Sequence, residues 1–265
     1  MGEFRFIKGD RTNEDRMKNT KEFFQSTIHF SLGNEELAAG LTLFTSLSNE
    51  GLNNKTLELL HPEEIKIGGG YASEVRRRSF FNGRIVGKMA MNQVFPGIPP
   101  AACRIITGSI GRPVIEALPQ PYGISISHNE LWNAGVCFPL SVPMGIDVET
   151  ITEKNRAIIA SILSDHEKDL CSSEGDTLEI IHLLWTAKEA AAKAIGLGFL
   201  VPTAWYEIEF IETLRTEPQR IHQCRFKNLS VFTALTVEIP GAMLSIAFPS
   251  ENNFSQTMIS LLQLT

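Results

Sequence analysis

Two carboxylates, Asp147 and Glu149, stand two positions apart in the segment GIDVE at 145–149. In a strand, alternate side chains point to the same face, so these two would lie side by side. Neighbouring anions in a partly buried site repel each other unless a cation lies between them. Mg²⁺ takes one or two carboxylates and completes its shell with water and substrate phosphate, so the pair indicates a magnesium and phosphate site. Two solvated carboxylates on an exposed strand face are the alternative.

A second cluster lies in the alanine-rich segment LLWTAKEAAAKAIG. Trp185, Glu189 and Lys193 recur every four residues and so share one face of a helix, with Lys188 beside them. The alternative is an ordinary surface Glu–Lys pair, which contributes only about 0.2–0.5 kcal/mol. A third carboxylate meeting the first two, with a lysine one turn away to contact phosphate, would make one metal and phosphate site.

Basic residues follow a predicted helix start at Ser73, a good N-cap. Arg77, Arg84 and Lys88 recur at spacings of seven and four, which predicts that they share one helix face. A solvated face beside an apolar stripe gives the same pattern.

Two further side chains carry both a chemical and a structural interpretation. His128 ends the strand segment SISH, where its imidazole could donate to a phosphate oxygen or simply be hydrogen-bonded within the fold. Glu167 follows Ser164 by three positions, the spacing of a helix capping box. The capping role and a chemical role are compatible.

Composition limits the class of protein. The 265 residues are 43% hydrophobic and 20% charged, enough for a packed core, and the net charge of −6 disfavours nucleic acid as a partner. The four cysteines are widely spaced without a C-x-x-C pair, which argues against disulfides and zinc. The first 19 residues are charged throughout, and no apolar run approaches the roughly 20 residues that span a bilayer. We therefore expect a soluble, cytoplasmic protein with no membrane partner.

The predicted elements indicate an α+β protein. Short alternating segments, YGISISH, LWNAGVCF and MGIDVET, predict antiparallel strands, and the segments after residue 204 predict a strand meander. Helices are predicted near 155–163, from LSDHEKDL onward, and in the alanine-rich segment up to Gly196. The glycine run at 68–70 predicts a flexible turn, and residues 1–70 show no motif: they could hold extra strands or a partner-binding extension.

Four motifs occur in a recognisable order: GRP at 111–113, SISH at 125–128, GIDVE at 145–149 and WTAKEAAAK at 185–193. Together they resemble the phosphopantetheinyl transferases of the surfactin-synthetase-activating type. The basic segment RRRSFFNGR at 76–84 resembles the coenzyme A-binding helix of the enterobactin-activating branch. The resemblance implies two pseudo-symmetric α+β halves, 1–142 and 143–265, each with antiparallel strands and a long helix, and coenzyme A bound between them.

The resemblance also implies roles for individual residues. Asp147, Glu149 and Glu189 correspond to magnesium ligands, and Glu189 thereby to a catalytic group. Glu167 or a metal-bound water would be the general base, and Lys193 would offset charge on the leaving group. Contacts to coenzyme A phosphates are implied for seven residues: Arg77, Arg84, Arg112, Ser127, His128, Lys188 and Lys193. Arg78 could take the place of Arg77.

The implied reaction transfers 4'-phosphopantetheine from coenzyme A to a serine of an apo acyl or peptidyl carrier protein, with Mg²⁺ as cofactor and 3',5'-ADP as leaving group. The carrier would dock transiently on a monomer. Two rivals remain: a magnesium-dependent nucleotide phosphohydrolase that uses the same carboxylates, and a catalytically silent module that binds coenzyme A or a carrier. The sequence leaves open whether the carrier serves fatty-acid, polyketide, nonribosomal-peptide or siderophore synthesis.

Overall fold

The computed structural model describes residues 23–32, 34–48, 51–173, 175, 177–215 and 220–250. The charged N-terminal segment, on which the expectation of a missing signal sequence rests, lies outside these residues. The chain divides into two compact units, Met1–Ser141 and Val142–Thr265. Among the described helices, none has both the length and the apolar character that crossing a membrane requires.

The first unit is built on a four-stranded antiparallel sheet. The described residues of this unit form six strands: Phe23–Leu32 (β1), Glu35–Thr45 (β2), Arg104–Thr107 (β3), Pro113–Glu116 (β4), Tyr122–His128 (β5) and Trp132–Pro139 (β6). The order across the sheet is β1, β2, β6, β5, and β3 pairs separately with β4. Part of the N-terminal segment that shows no motif therefore forms β1, at one edge of this sheet, and β2 beside it.

Three α-helices accompany this sheet in the part of the unit that the structure describes: Asn54–Leu57 (α1), Pro62–Gly69 (α2) and Glu74–Val94 (α3). As predicted, Ser73 is the N-cap of α3, and its hydroxyl accepts a hydrogen bond from the backbone N–H of Arg76. Helix α2 begins with a capping box in which Glu64 accepts from the backbone N–H of His61. Helix α3 lies against the sheet, because a Cβ added at Gly40 of β2 would stand 2.1 Å from the Ala90 carbonyl oxygen.

One sequence prediction and one alternative interpretation fail in this unit. The glycine run at 68–70 does not form a flexible turn, because Gly68 and Gly69 complete helix α2. A Cβ at Gly68 would lie 2.3 Å from the ring of Phe81, so the missing side chain lets α2 pack against α3. Lys88 does not share a solvated face with Arg77: its side chain is 0% exposed, against 44% for Arg77.

The second unit has a five-stranded antiparallel sheet with the order β7, β11, β10, β9, β8. The strands are Gly145–Thr150 (β7), Ile208–Arg215 (β8), Ile221–Phe226 (β9), Phe232–Ile239 (β10) and Ala242–Pro249 (β11), and the helices are Glu153–Ile162 (α4), Asp165–Ser173 (α5) and Leu178–Ile195 (α6). Helix α6 ends at Gly196, which has the left-handed conformation (φ 76°) that glycine adopts without strain. The predicted helices and the strand meander are confirmed.

Both units therefore combine one long helix with an antiparallel sheet, which confirms the predicted α+β fold with a long helix in each half. In the second unit, helix α6 buries an alanine-rich face that includes Ala187, Ala190 and Ala191. Small side chains on this face allow the helix backbone to approach the sheet closely. The strand that carries the GIDVE motif is thereby placed directly against α6.

Gly145→Ala tests this close approach. A Cβ at Gly145 would stand 2.0 Å from the Ala190 carbonyl oxygen, so helix α6 and strand β7 would have to separate. We expect the free energy of unfolding, measured by urea denaturation, to fall by roughly 3 kcal/mol or more. Gly97→Ala is the matched control, because its Cβ would meet nothing within 4 Å. Equal stability of Gly145→Ala and the wild type would contradict the packing described here.

Candidate active site

Strand β7 presents two carboxylates on one of its faces. Ile146 and Val148 are 0% and 1% exposed and point the other way, into the core. Asp147 is also buried, at 2% exposure, whereas Glu149 is half-buried. The alternation of a strand therefore places an aspartate inside the protein and a glutamate nearer its surface, on the same face.

Helix α6 brings three more side chains to this face. The Nζ atom of Lys193 donates to Oδ1 of Asp147 over 2.6 Å. The Trp185 indole donates a hydrogen bond to the Glu149 carboxylate. Glu189 lies on the same helix face between these two residues, as the spacing of four residues predicts.

The three carboxylates influence one another electrostatically. Burial, followed by the charge of Asp147, raises the pKa of Glu149 to about 7, although Lys193 and the Trp185 hydrogen bond counteract the rise. Burial and then the charges of Asp147 and Glu149 raise the pKa of Glu189 to about 7 as well, again opposed by Lys193. One lysine is thus too little positive charge for three carboxylates in this position.

A divalent cation fits the charge of this cluster. Hard carboxylate oxygens are the ligands that Mg²⁺ prefers, and a cation would relieve the repulsion that raises both pKa values. Within the described ranges, however, no three His, Cys, Asp or Glu side chains are arranged so that they could hold a metal ion as they stand. Mg²⁺ commonly takes only one or two carboxylates and fills its other positions with water and phosphate, so the donor set still suits it.

Glu167 and Lys188 form a separate buried pair. Their side chains are 0% and 1% exposed, and Lys188 Nζ lies 2.8 and 2.7 Å from the two carboxylate oxygens. The same oxygens accept from the backbone N–H groups of Ile208 and Ser164, each over 2.9 Å. Ser164 also accepts from the Glu167 N–H, which completes the predicted capping box.

This pair argues against two roles that the resemblance implies. A general base must come within hydrogen-bond reach of the proton that it removes. The Glu167 carboxylate is enclosed and already accepts four hydrogen bonds, and the Lys188 ammonium faces that carboxylate instead of solvent. Both side chains therefore hold helices α5 and α6 and strand β8 together.

In the first unit, His128 lies at the exposed end of β5, beside helix α3. The Ser79 hydroxyl oxygen lies 3.5 Å from each ring nitrogen of His128. A Cβ at Gly83 would be 3.2 Å from the ring, so small residues on α3 make room for the imidazole. Ser127 is buried at 8% exposure and does not share this exposed position.

The arginines predicted to contact phosphate differ in their surroundings. Arg77 is partly exposed and lies 3.7 Å from Glu74. Arg84 is mostly buried: its guanidinium lies 4.6 Å from the centre of the Phe80 ring, and its Nε lies 3.8 Å from Glu64. Arg112 is half-buried just before β4. Of the three, Arg77 has the most exposed surroundings.

Several residues outside the predicted site determine the surroundings of its side chains. Glu64 was not identified, although the spacing from His61 with Pro62 after it is the signal of a helix start. Ser79 and Gly83 were also missed, although small residues four apart on a helix indicate a close neighbour. Trp185 was identified by its spacing, but its hydrogen bond to Glu149 could not be read from the sequence.

The second unit also gives the clearest match to known proteins. Residues 143–239 match the family model of the 4'-phosphopantetheinyl transferase superfamily. This range contains Asp147, Glu149, Glu189 and Lys193. The motifs GIDVE and WTAKEAAAK therefore both lie within the range that matches the family model.

Individual relatives agree with the family model. The chain is 27% identical over 154 residues to the 4'-phosphopantetheinyl transferase gsp of Aneurinibacillus migulanus, covering 49% of this chain and 64% of the relative. It is 28% identical over 81 residues to a holo-[acyl-carrier-protein] synthase of Geobacter metallireducens, covering 28% and 64%. The chain thus spans just under two thirds of the length of these relatives. A solved holo-[acyl-carrier-protein] synthase of Thermotoga maritima matches with a TM-score of 0.31 and 22% identity over 44% of this chain and 70% of that one.

Proposed function

We propose that this chain is an enzyme that transfers the 4'-phosphopantetheine group of coenzyme A to a serine hydroxyl of an apo carrier protein. The observation that carries the proposal is the cluster of three interacting carboxylates and Lys193, which lies within the range that matches the superfamily. The motif order further supports the surfactin-synthetase-activating type, and the basic segment at 76–84 supports the enterobactin-activating branch.

In the proposed reaction, the serine oxygen forms a bond to the β-phosphorus of coenzyme A. The bond from that phosphorus to the 3',5'-ADP oxygen breaks, and the proton of the serine hydroxyl passes to water. Negative charge grows on the phosphate oxygens during this exchange, so positive charge beside them lowers the barrier most. Bound Mg²⁺ would supply that charge, held by oxygens of Asp147, Glu149 and Glu189.

The protein's own side chains have distinct tasks in this scheme. Asp147 orients Lys193 through their hydrogen bond, which positions the Lys193 ammonium to contact a phosphate of coenzyme A. Trp185 orients the Glu149 carboxylate through its indole N–H. In the first unit, the exposed His128 and Arg77 are the best placed of the predicted phosphate contacts, because neither is enclosed by the fold.

Product analysis tests the proposal against its rivals. We expect coenzyme A to yield 3',5'-ADP in equal amount to modified carrier, and only when an apo carrier with its serine intact is present. A carrier with that serine changed to alanine is the matched control. Nucleotide or phosphate release without any carrier would favour a phosphohydrolase, and coenzyme A binding without any product would favour a silent binding module.

A further inference from the structure

The buried pair of Glu167 and Lys188 has a counterpart in the first unit. There Glu64 and Lys88 are 1% and 0% exposed, and Lys88 Nζ lies 3.0 Å from a Glu64 carboxylate oxygen. Glu64 also accepts from the backbone N–H of Ile105 over 2.8 Å. Each unit thus buries an ion pair between a glutamate of a short helix and a lysine of its long helix.

The two pairs agree in their backbone contacts as well. Each glutamate is the third residue of a short helix, α2 or α5, and accepts from the N–H of the residue three positions earlier. Each also accepts from a strand N–H that lies 41 positions later, in β3 or β8. The same glutamate contacts therefore occur twice in one chain, although Lys88 also donates to the carbonyl oxygens of Pro100 and Cys103.

The long helices keep the same register relative to their sheets. Two residues after each lysine, the carbonyl oxygens of Ala90 and Ala190 approach a strand glycine, Gly40 or Gly145, to 2.1 and 2.0 Å from where a Cβ would stand. When these two helix–strand contacts are aligned, helix α3 corresponds to α6 and strand β2 corresponds to β7. The strands that follow correspond too, since β2, β6 and β5 are neighbours in one sheet and β7, β11 and β10 in the other.

Under this correspondence, the buried pair occurs in both units, whereas the carboxylate cluster occurs in the second unit alone among the aligned positions. The positions equivalent to Asp147, Glu149, Glu189 and Lys193 hold Thr42, Phe44, Met89 and Gln93 in the first unit. The first unit therefore retains the glutamate–lysine pair where it has none of the three carboxylates. A pair that persists without the reactive groups serves the fold of the unit.

We infer that Glu167 and Lys188 are a positioning pair, which fixes the rotation of helix α6 and hence the place of Glu189, and that neither touches substrate. This inference rests on the proposed function, because it concerns the same site. Lys188 directly precedes Glu189, so an ammonium anchored by Glu167 sets the direction in which the next side chain leaves the helix. The neighbouring short helix α5 and strand β8 are joined to α6 by the same carboxylate.

The test compares Glu167→Gln, Lys188→Met and the double variant, with Glu64→Gln/Lys88→Met as the corresponding variant of the first unit, in which Arg84 also loses the carboxylate beside it. Removing one partner leaves a buried charge, so each single variant should lower the unfolding midpoint by roughly 10 °C or more. The double variant leaves no buried charge and should recover part of that loss, since the amide still offers one acceptor oxygen to the backbone N–H groups of Ile208 and Ser164, where the carboxylate offers two. Transfer rates are measured at 10 °C per folded molecule, with the folded fraction taken from near-ultraviolet circular dichroism.

A positioning pair predicts that both single variants lose transfer and that the double variant returns to within thirtyfold of the wild-type kcat. Its pH profile should keep both limbs of the wild-type shape. A loss of more than thirtyfold in the folded double variant, or the loss of one limb of its pH profile, would overturn the inference and favour a base role for Glu167. Failure of this double variant to fold while Glu64→Gln/Lys88→Met folds would also overturn it, because the pairs would not be equivalent.

These results can be told apart from failure of the proposed function. If the wild type modifies no carrier, the proposed function fails, while the unfolding midpoints still compare the two pairs. If the wild type is active and the folded double variant is not, the proposed function stands and the positioning role is wrong.

Discussion

Asp147→Asn is expected to reduce phosphopantetheine transfer at least 100-fold while the protein stays folded. Asp147 is the most buried of the three carboxylates, holds Lys193 over 2.6 Å, and raises the pKa of both Glu149 and Glu189 by its charge. Asparagine keeps the size of the side chain but removes the charge that a cation and the lysine both need. The loss follows from the large share of catalysis that electrostatic stabilisation provides.

The measurement is kcat/KM for carrier modification, together with the unfolding midpoint of the variant. Asp165→Asn is the matched control, because that aspartate is fully exposed at the start of α5 and its ion pair is with Lys168 of the same helix. Transfer by Asp147→Asn within tenfold of the wild type would show that this carboxylate does not serve the reaction.

Glu189→Gln is expected to change activity and stability in opposite directions. The pKa of Glu189 rises from 4.5 to about 7 in the folded protein, so between these pH values the folded state keeps a proton that the unfolded chain has lost. Wild-type stability therefore falls as the pH rises through this window, and glutamine escapes that loss. Without Mg²⁺ at pH 8, the variant should be more stable than the wild type by on the order of 2 kcal/mol. The full pKa rise would give more at about 1.4 kcal/mol per pKa unit, and solvent screening of this partly exposed carboxylate reduces it.

Urea denaturation at pH 4.5 and pH 8 measures this difference, which should be small at the lower pH. Transfer activity of the same variant should fall at least 100-fold, because a carboxylate of the proposed metal site is lost. Glu238→Gln, on an exposed strand position, is the control and should change stability by less than about 0.5 kcal/mol at either pH. A variant less stable than the wild type at pH 8 would contradict the electrostatic description of the site.

The regular elements were predictable because their local signals agree with their tertiary surroundings. Ser73 and Gly196 mark helix ends in both the sequence and the structure, and the alternation around Ser125 and Ile126 marks a strand. The grouping of Asp147 with Glu149 followed from strand geometry, and the grouping of Glu189 with Lys193 from helix geometry. What joined these two groups was the order of motifs, since periodicity says nothing about which strand a helix will contact.

The buried lysines could not be predicted in the same way. Lys88 and Lys188 have the residue type expected of a phosphate contact, and only the structure shows that each faces a glutamate from a short neighbouring helix. For Lys88 the decisive partner lies in α2, whose glycine-rich end resembles a loop in the sequence. A helix that ends in glycines is stabilised by packing against Phe81, which is a tertiary contact without a local signal.

The most direct test of the proposed function is the intact mass of an apo carrier protein incubated with this protein, coenzyme A and Mg²⁺. We expect the carrier to gain the mass of one phosphopantetheine group, and the gain to disappear when Mg²⁺ is chelated or when Asp147 is replaced by alanine. A folded protein that binds coenzyme A yet modifies none of several acyl and peptidyl carriers would contradict it.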